Sequence, residues 1–167
     1  EVLPAFLNRD EKTYTYPNSN EGGGWKTTDP KAEIEAINDM NNSCNHNLKR
    51  LCRMVRSWRD YNNVDINGIL IDVLSYNFLS TWQYRDKSYL YYDYMSRDFF
   101  KYLSDQDKTQ NSWKVMGSGR FIPRIGSFES KASKAHTLSK EAIEREKNYP
   151  YTAKSKWREI YGTKFPA

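Results

Sequence analysis

The chain has 167 residues, a formal net charge of +5, and an aromatic share of 15% set against sparse Leu, Ile and Val. That length fits one domain, or one domain with an incomplete neighbour, and a core built on Trp, Tyr and Phe is large enough to hold it. No apolar run approaches the roughly 20 residues of a membrane span. Cys44 and Cys52, with only His46 nearby, make neither a disulfide framework nor a good zinc site and read as reduced, partly buried thiols of a cytoplasmic protein.

The chain opens on Glu1 rather than Met, followed by Val2-Leu3-Pro4-Ala5-Phe6. This reads as the end of a strand whose partners lie upstream, in the back part of a longer protein. A carboxylate at such a strand end is a common metal ligand, although most acids in that position are solvated surface groups. Residues 7–28 read as a long loop, dominated by Asn, Ser, Gly, Thr and Pro, with Gly22-Gly23-Gly24 before Trp25. Trp25 predicts that this loop is packed down.

Asp29-Pro30 is a helix start, with Asp as N-cap and Pro at the first helical position. Ala32, Ile34, Ala36, Ile37 and Met40 supply its apolar stripe, and Asn41-Asn42-Ser43 ends it. The next helix runs from about His46 to Tyr61, with Leu48, Leu51, Cys52, Val55 and Trp58 on one face. Lys49, Arg53 and Arg56 fall at i, i+4 and i+7, a second stripe beside the apolar one. Such a stripe either points together into a cleft or is a solvated flank with snorkelling side chains.

From Gly68 to Trp82 the chain is apolar nearly all round, which predicts a central buried helix. Asp72 inside it should pair with a base of the preceding helix. Residues 84–103 read as a packed, tyrosine-rich helix. Gly117-Ser118-Gly119-Arg120 is a turn and a weak phosphate-loop signal, followed by an extended piece over 121–124. An amphipathic helix over 128–147 and a last one from about Ala153 to Tyr161, capped by Gly162, complete the chain. The predicted class is mainly α: a bundle of five or six helices with a long N-terminal loop and a short strand remnant at the N-terminus.

Charge is unevenly placed. Residues 46–61 hold five bases and one acid, and residues 113–167 hold twelve bases and five acids. This is compatible with a polyanionic ligand, though exposed Lys and Arg also simply solvate helix faces.

Four segments in order, Gly-Gly-Trp-Lys-Thr-Thr-Asp-Pro (23–30), Lys-Arg-Leu-Cys-Arg-Met-Val-Arg-Ser-Trp (49–58), Leu-Ile-Asp-Val-Leu-Ser-Tyr (70–76) and Lys-Trp-Arg-Glu-Ile-Tyr-Gly-Thr-Lys-Phe-Pro (156–166), resemble the C-terminal part of the bacterial CD-NTases. These are the cGAS/DncV-like nucleotidyltransferases, relatives of oligoadenylate synthase. The resemblance implies that 1–28 are a strand remnant and linker from a missing nucleotidyltransferase lobe and 29–167 a helical C-terminal lobe. The function implied is synthesis of cyclic di- or oligonucleotides from nucleoside triphosphates such as ATP and GTP, in antiphage defence.

Site roles follow from the same resemblance. Glu1 stands where most members have the third metal-binding Asp, and the Gly-Ser and Asp-x-Asp elements are absent from this sequence. Mg2+ is therefore expected only together with the missing catalytic lobe, and the isolated chain is expected to be inactive. Arg56 is the position that reaches the donor triphosphate, with Arg53 one turn back and Lys49 beside them. Asn67, at the next helix start, touches phosphate through its amide or a backbone N–H, and Trp25 helps to shape the base pocket. Expected partners are nucleoside triphosphates, the missing N-terminal catalytic lobe and a regulatory protein, with no membrane. The alternative from the residues is a free-standing helical module that binds nucleotide or nucleic acid through Lys131, Lys134 and Lys140. A ligand-free structural protein is the third reading.

Overall fold

The computed structural model describes residues 4–18, 23–163 and 165–166. Glu1, Val2 and Leu3 lie outside the described residues, and with them the upstream-strand reading and the metal-ligand reading of Glu1. Gly22 lies outside them too.

The stretch that reads as a long loop contains a small sheet. Strands β1 (Phe6–Leu7), β2 (Tyr14–Pro17) and β3 (Trp25–Thr28) pair antiparallel in that order, with Phe6 opposite Thr15 and Tyr16 opposite Lys26. β1 thus pairs with a strand downstream of it. Asp10 closes the first turn by accepting from the Thr13 N–H and hydroxyl at 2.9 and 2.6 Å. The expectation that Trp25 is packed down is corrected: the residue is 64% exposed and, among the described residues, its ring meets only that of Phe6, at 5.8 Å.

Among the described residues six α-helices follow, in line with the predicted bundle of five or six. Asp29 caps α1 (Pro30–Ser43) by accepting from the Ala32 N–H at 3.0 Å. α2 (Asn47–Tyr61) buries Leu48, Leu51, Cys52, Val55 and Trp58. α3 (Gly68–Thr81) is the central helix, with Leu70, Ile71, Leu74 and Leu79 enclosed. The predicted tyrosine-rich helix begins later than expected: a turn of 3-10 helix at Tyr89–Tyr91 leads into α4 (Tyr92–Ser104). α5 (Glu129–Arg145) and α6 (Pro150–Tyr161) pack with α4, and Gly162 ends α6 at φ 87°.

Between α4 and α5 lies a hairpin of β4 (Ser112–Lys114) and β5 (Phe121–Pro123). Its turn is the Gly-Ser-Gly-Arg segment, and it serves packing rather than a phosphate. Gly117 has φ 79°, and a Cβ there would lie 2.1 Å from the Ala32 carbonyl oxygen. Ser118 Oγ and Arg120 Nε donate to Glu33 Oε1 at 2.6 and 2.7 Å, fastening the turn to the start of α1.

Candidate functional site

The α1–α2 turn fixes where the basic stripe begins. Asn45 and His46 are both left-handed, at φ 52° and 61°. Buried Asn41 holds them in place: its Nδ2 lies 3.0 Å from His46 Nδ1 and its Oδ1 accepts from the Lys49 N–H at 3.0 Å. Asn47 Nδ2 donates to the carbonyls of Arg85 and Lys87 at 2.9 and 2.8 Å, tying the start of α2 to the segment before α4.

From that anchored start, helical spacing brings Lys49, Arg53 and Arg56 to one cleft of about 300 Å³, with Asp72 in its wall. Lys49 Nζ donates to Asn38 Oδ1 at 2.8 Å. Arg53 is exposed and has no hydrogen bond or ion pair among the described residues. Arg56 Nη2 donates to both Asp72 oxygens at 2.8 Å and to the Gly68 carbonyl at 3.2 Å. The expected pairing of Asp72 with the preceding helix is therefore present, and Arg56 is the partner. Burial works against the Arg56 charge, but the hydrogen bond and charge of Asp72 outweigh it and hold the guanidinium above its ordinary value.

Cys52 sits under the same pair. Burial, reinforced by the Asp72 charge, pushes its thiol up to about 12. Both cysteines are free and buried. At pH 8 neither is expected to react with iodoacetamide in the folded chain, whereas both react in urea; mass spectrometry reads the adducts. A folded value above the unfolded 9.0 means that the Cys52 contribution to stability is intact below pH 9 and is lost as pH climbs toward 12.

Asn67 takes a different place from the three bases. Its Oδ1 caps α3 by accepting from the Leu70 N–H at 2.7 Å, and its side chain lines a second cleft of about 470 Å³ with Tyr16, Lys26, Thr27, Arg120 and Phe121. The two clefts share no lining residue, but Arg56 of the first reaches the carbonyl of Gly68, next to Asn67 of the second. Trp25 lines neither cleft. Sequence reasoning misses Tyr16, Lys26 and Thr27 because their segment reads as loop. The signal available is the run of aromatic and β-branched residues in Tyr14-Thr15-Tyr16 and Trp25-Lys26-Thr27-Thr28. Arg120 reads only as part of a turn.

Among the described residues no three His, Cys, Asp or Glu side chains converge to hold a metal ion. No described helix is long and apolar enough to cross a membrane.

Comparison with known proteins gives two findings. The family model of the Second Messenger Oligonucleotide or Dinucleotide Synthetase domain matches residues 1–41. The solved structure of DncV from Vibrio cholerae in its GTP-bound form is similar with a TM-score of 0.67 at 18% identity, over 99% of this chain and 47% of that one. The chain therefore spans about half the length of that relative. No curated protein matches the chain. The family match and the fold together support the resemblance to the cGAS/DncV-like nucleotidyltransferases.

Proposed function

We infer that a chain with a DncV-like fold and an N-terminal match to the second-messenger synthetase domain works as the helical half of a nucleotidyltransferase that makes cyclic di- or oligonucleotides from ATP- or GTP-type substrates. Antiphage signalling in the cytoplasm is the setting proposed for it. The observation that carries this reading is the convergence of Lys49, Arg53 and Arg56 on one cleft beside the start of α3.

The chemistry open to this chain is phosphate recognition. Three cationic groups side by side neutralise a triphosphate, and guanidinium forks suit its oxygens. The N–H groups of Gly68 and Ile69, left over at the start of α3 after Asn67 has capped Leu70, are further donors on this proposal. Neutralising the leaving phosphates stabilises charge that develops during transfer. The metal-binding carboxylates belong to the other half on this proposal, with Glu1 as the single contribution of this chain. The proposed Mg2+ would activate the attacking hydroxyl there.

The test is a titration of the chain with GTP, read by melting temperature and calorimetry. A saturable rise of the melting temperature without turnover supports the reading. Turnover of ATP or GTP above an Arg56→Ala control overturns the inactive-half assignment, and no binding at millimolar GTP overturns the phosphate cleft.

A charge argument yields a second expected outcome. Asp72 cancels one positive charge at the cleft, yet Asn in its place keeps an oxygen that accepts from Arg56 Nη2. Asp72→Asn is expected to tighten GTP binding about three- to ten-fold at low salt, with the gain falling away by about 0.5 M salt. Weaker binding would mean that Asp72 serves chiefly to position Arg56.

The free-standing sensor reading is disfavoured by one observation. Lys131, on which it relies, donates its Nζ to the carbonyls of Asn62 and Asn63, so it caps the C-terminal end of α2.

A further inference from the structure

The face of α2 beside the basic stripe carries a different cavity. Met54 and Ser57 project from it into a groove of about 650 Å³ whose other walls are Asp93 of α4, Trp157 and Tyr161 of α6, and Phe165. The size falls within the range of small-molecule sites. One wall is flat. The Trp157 and Tyr161 rings are near-parallel at 18° and 6.2 Å, and the Tyr161 and Phe165 rings at 19° and 6.3 Å.

Several polar groups at the groove are spent internally. Tyr161 OH donates to Ser96 Oγ at 2.8 Å, Ser96 Oγ donates to the Tyr92 carbonyl at 2.7 Å, and Ser57 Oγ donates to the Tyr161 carbonyl at 3.0 Å. The Asp93 carboxylate also lines the groove, and its Oδ1 is enclosed with no hydrogen-bond partner among the described residues. A buried acceptor left unpaired is costly. Burial raises this carboxyl above its ordinary value, although the backbone N–H of Tyr94 and the charge of Arg97 oppose the rise. A second carboxylate, Glu146, stands at the same groove.

We propose that the groove between α2, α4 and α6 is a binding site for a small flat aromatic cation with an N–H donor edge, such as an amidine-type heterocycle. Its ring lies along the Trp157–Tyr161–Phe165 wall, and its donors and charge pair with the carboxylates of Asp93 and Glu146 that line the groove. Charge selects the class: the apolar walls carry carboxylates where an anionic ligand would need bases, and Lys154 at the rim already has a partner. The site is separate from the phosphate cleft but shares α2 with it. Met54 and Ser57 alternate along that helix with Arg53 and Arg56, so an occupied groove braces the helix that presents the bases.

The probe is 2-aminobenzimidazole, titrated by calorimetry into the chain and three variants. Saturable one-site binding is expected, weakened about ten-fold or more by Asp93→Asn and also weakened by Trp157→Leu, with Arg53→Ala unchanged. Asp93→Asn is nearly isosteric, and its melting temperature checks that it folds. Absence of saturable binding up to millimolar probe, or equal binding by Asp93→Asn, overturns the proposal. So does a chain that sediments as a dimer and becomes monomeric with Trp157→Leu, because the groove would then be an interface between copies.

Discussion

Replacing Arg124 by alanine is expected to cost about 3–5 kcal/mol of stability, the penalty of leaving a buried partner charge uncompensated. The partner is Glu129, which is 3% exposed and takes Arg124 Nη1 on Oε1 at 2.6 Å. The other arms of the guanidinium are equally committed: Nε donates to the Gln110 carbonyl at 2.8 Å and Nη2 to the Asp107 carbonyl at 2.9 Å. The group also lies against two rings, 4.9 Å from the centre of Trp113 and 5.1 Å from that of Phe128. One side chain thus joins the hairpin to the start of α5. Lysine cannot replace it, because a point charge does not make three divergent bonds from a planar fork. Urea unfolding reads the effect: the midpoint falls while the slope is unchanged. Adding Glu129→Gln to Arg124→Ala should recover part of the loss, since the orphaned charge is then gone. A loss under about 1 kcal/mol for Arg124→Ala would mean that Glu129 finds another partner.

Arg124 shows where the sequence stops being informative. Its distance from Glu129 along the chain is short, but nothing in residues 120–130 signals that Trp113 closes over the pair. The basic stripe is legible because helical spacing alone decides which side chains share an edge. The apolar face of α2 fixes which edge that is, so the pattern of residues 46–61 is enough to group Lys49, Arg53 and Arg56. Asp72 is legible as an acid needing a base, but only packing of α3 on α2 picks Arg56. The sheet is hidden for the opposite reason. β2 and β3 bury no complete face, so their residues lack the apolar alternation that marks a half-buried strand, and Asn, Gly and Ser around them argue for loop. The aromatic groove is half visible, since Trp157, Tyr161 and Phe165 recur at four-residue steps, yet its opposite wall comes from helices more than fifty residues away. Local periodicity reports faces; it does not report which faces meet.

The basic stripe carries the other large effect. Combined replacement of Arg53 and Arg56 by alanine is expected to weaken GTP binding about thirty-fold or more, if each charged hydrogen bond to phosphate is worth roughly 1–2 kcal/mol in a partly exposed cleft. The two contributions should be unequal. Arg56 is held in place by Asp72, so little ordering entropy is lost when phosphate arrives. Arg53 is exposed and unpaired among the described residues, so more of its gain is spent on immobilisation and more is screened by salt. Arg56→Ala also strands Asp72 in the cleft wall, adding a repulsive charge to the lost attraction. Measuring Arg56→Ala with and without Asp72→Asn separates these parts, because the second change removes the repulsion alone. Alanine at Lys131, Lys134 and Lys140 is the counter-experiment. On the phosphate-cleft reading it leaves GTP affinity within about two-fold, since Lys131 is occupied by the end of α2 and the helix that bears all three, α5, does not line the cleft. If that triple change weakens binding more than the arginine pair does, with a steep salt dependence, the polyanion surface lies on α5 and the cleft on α2 is a solvated flank.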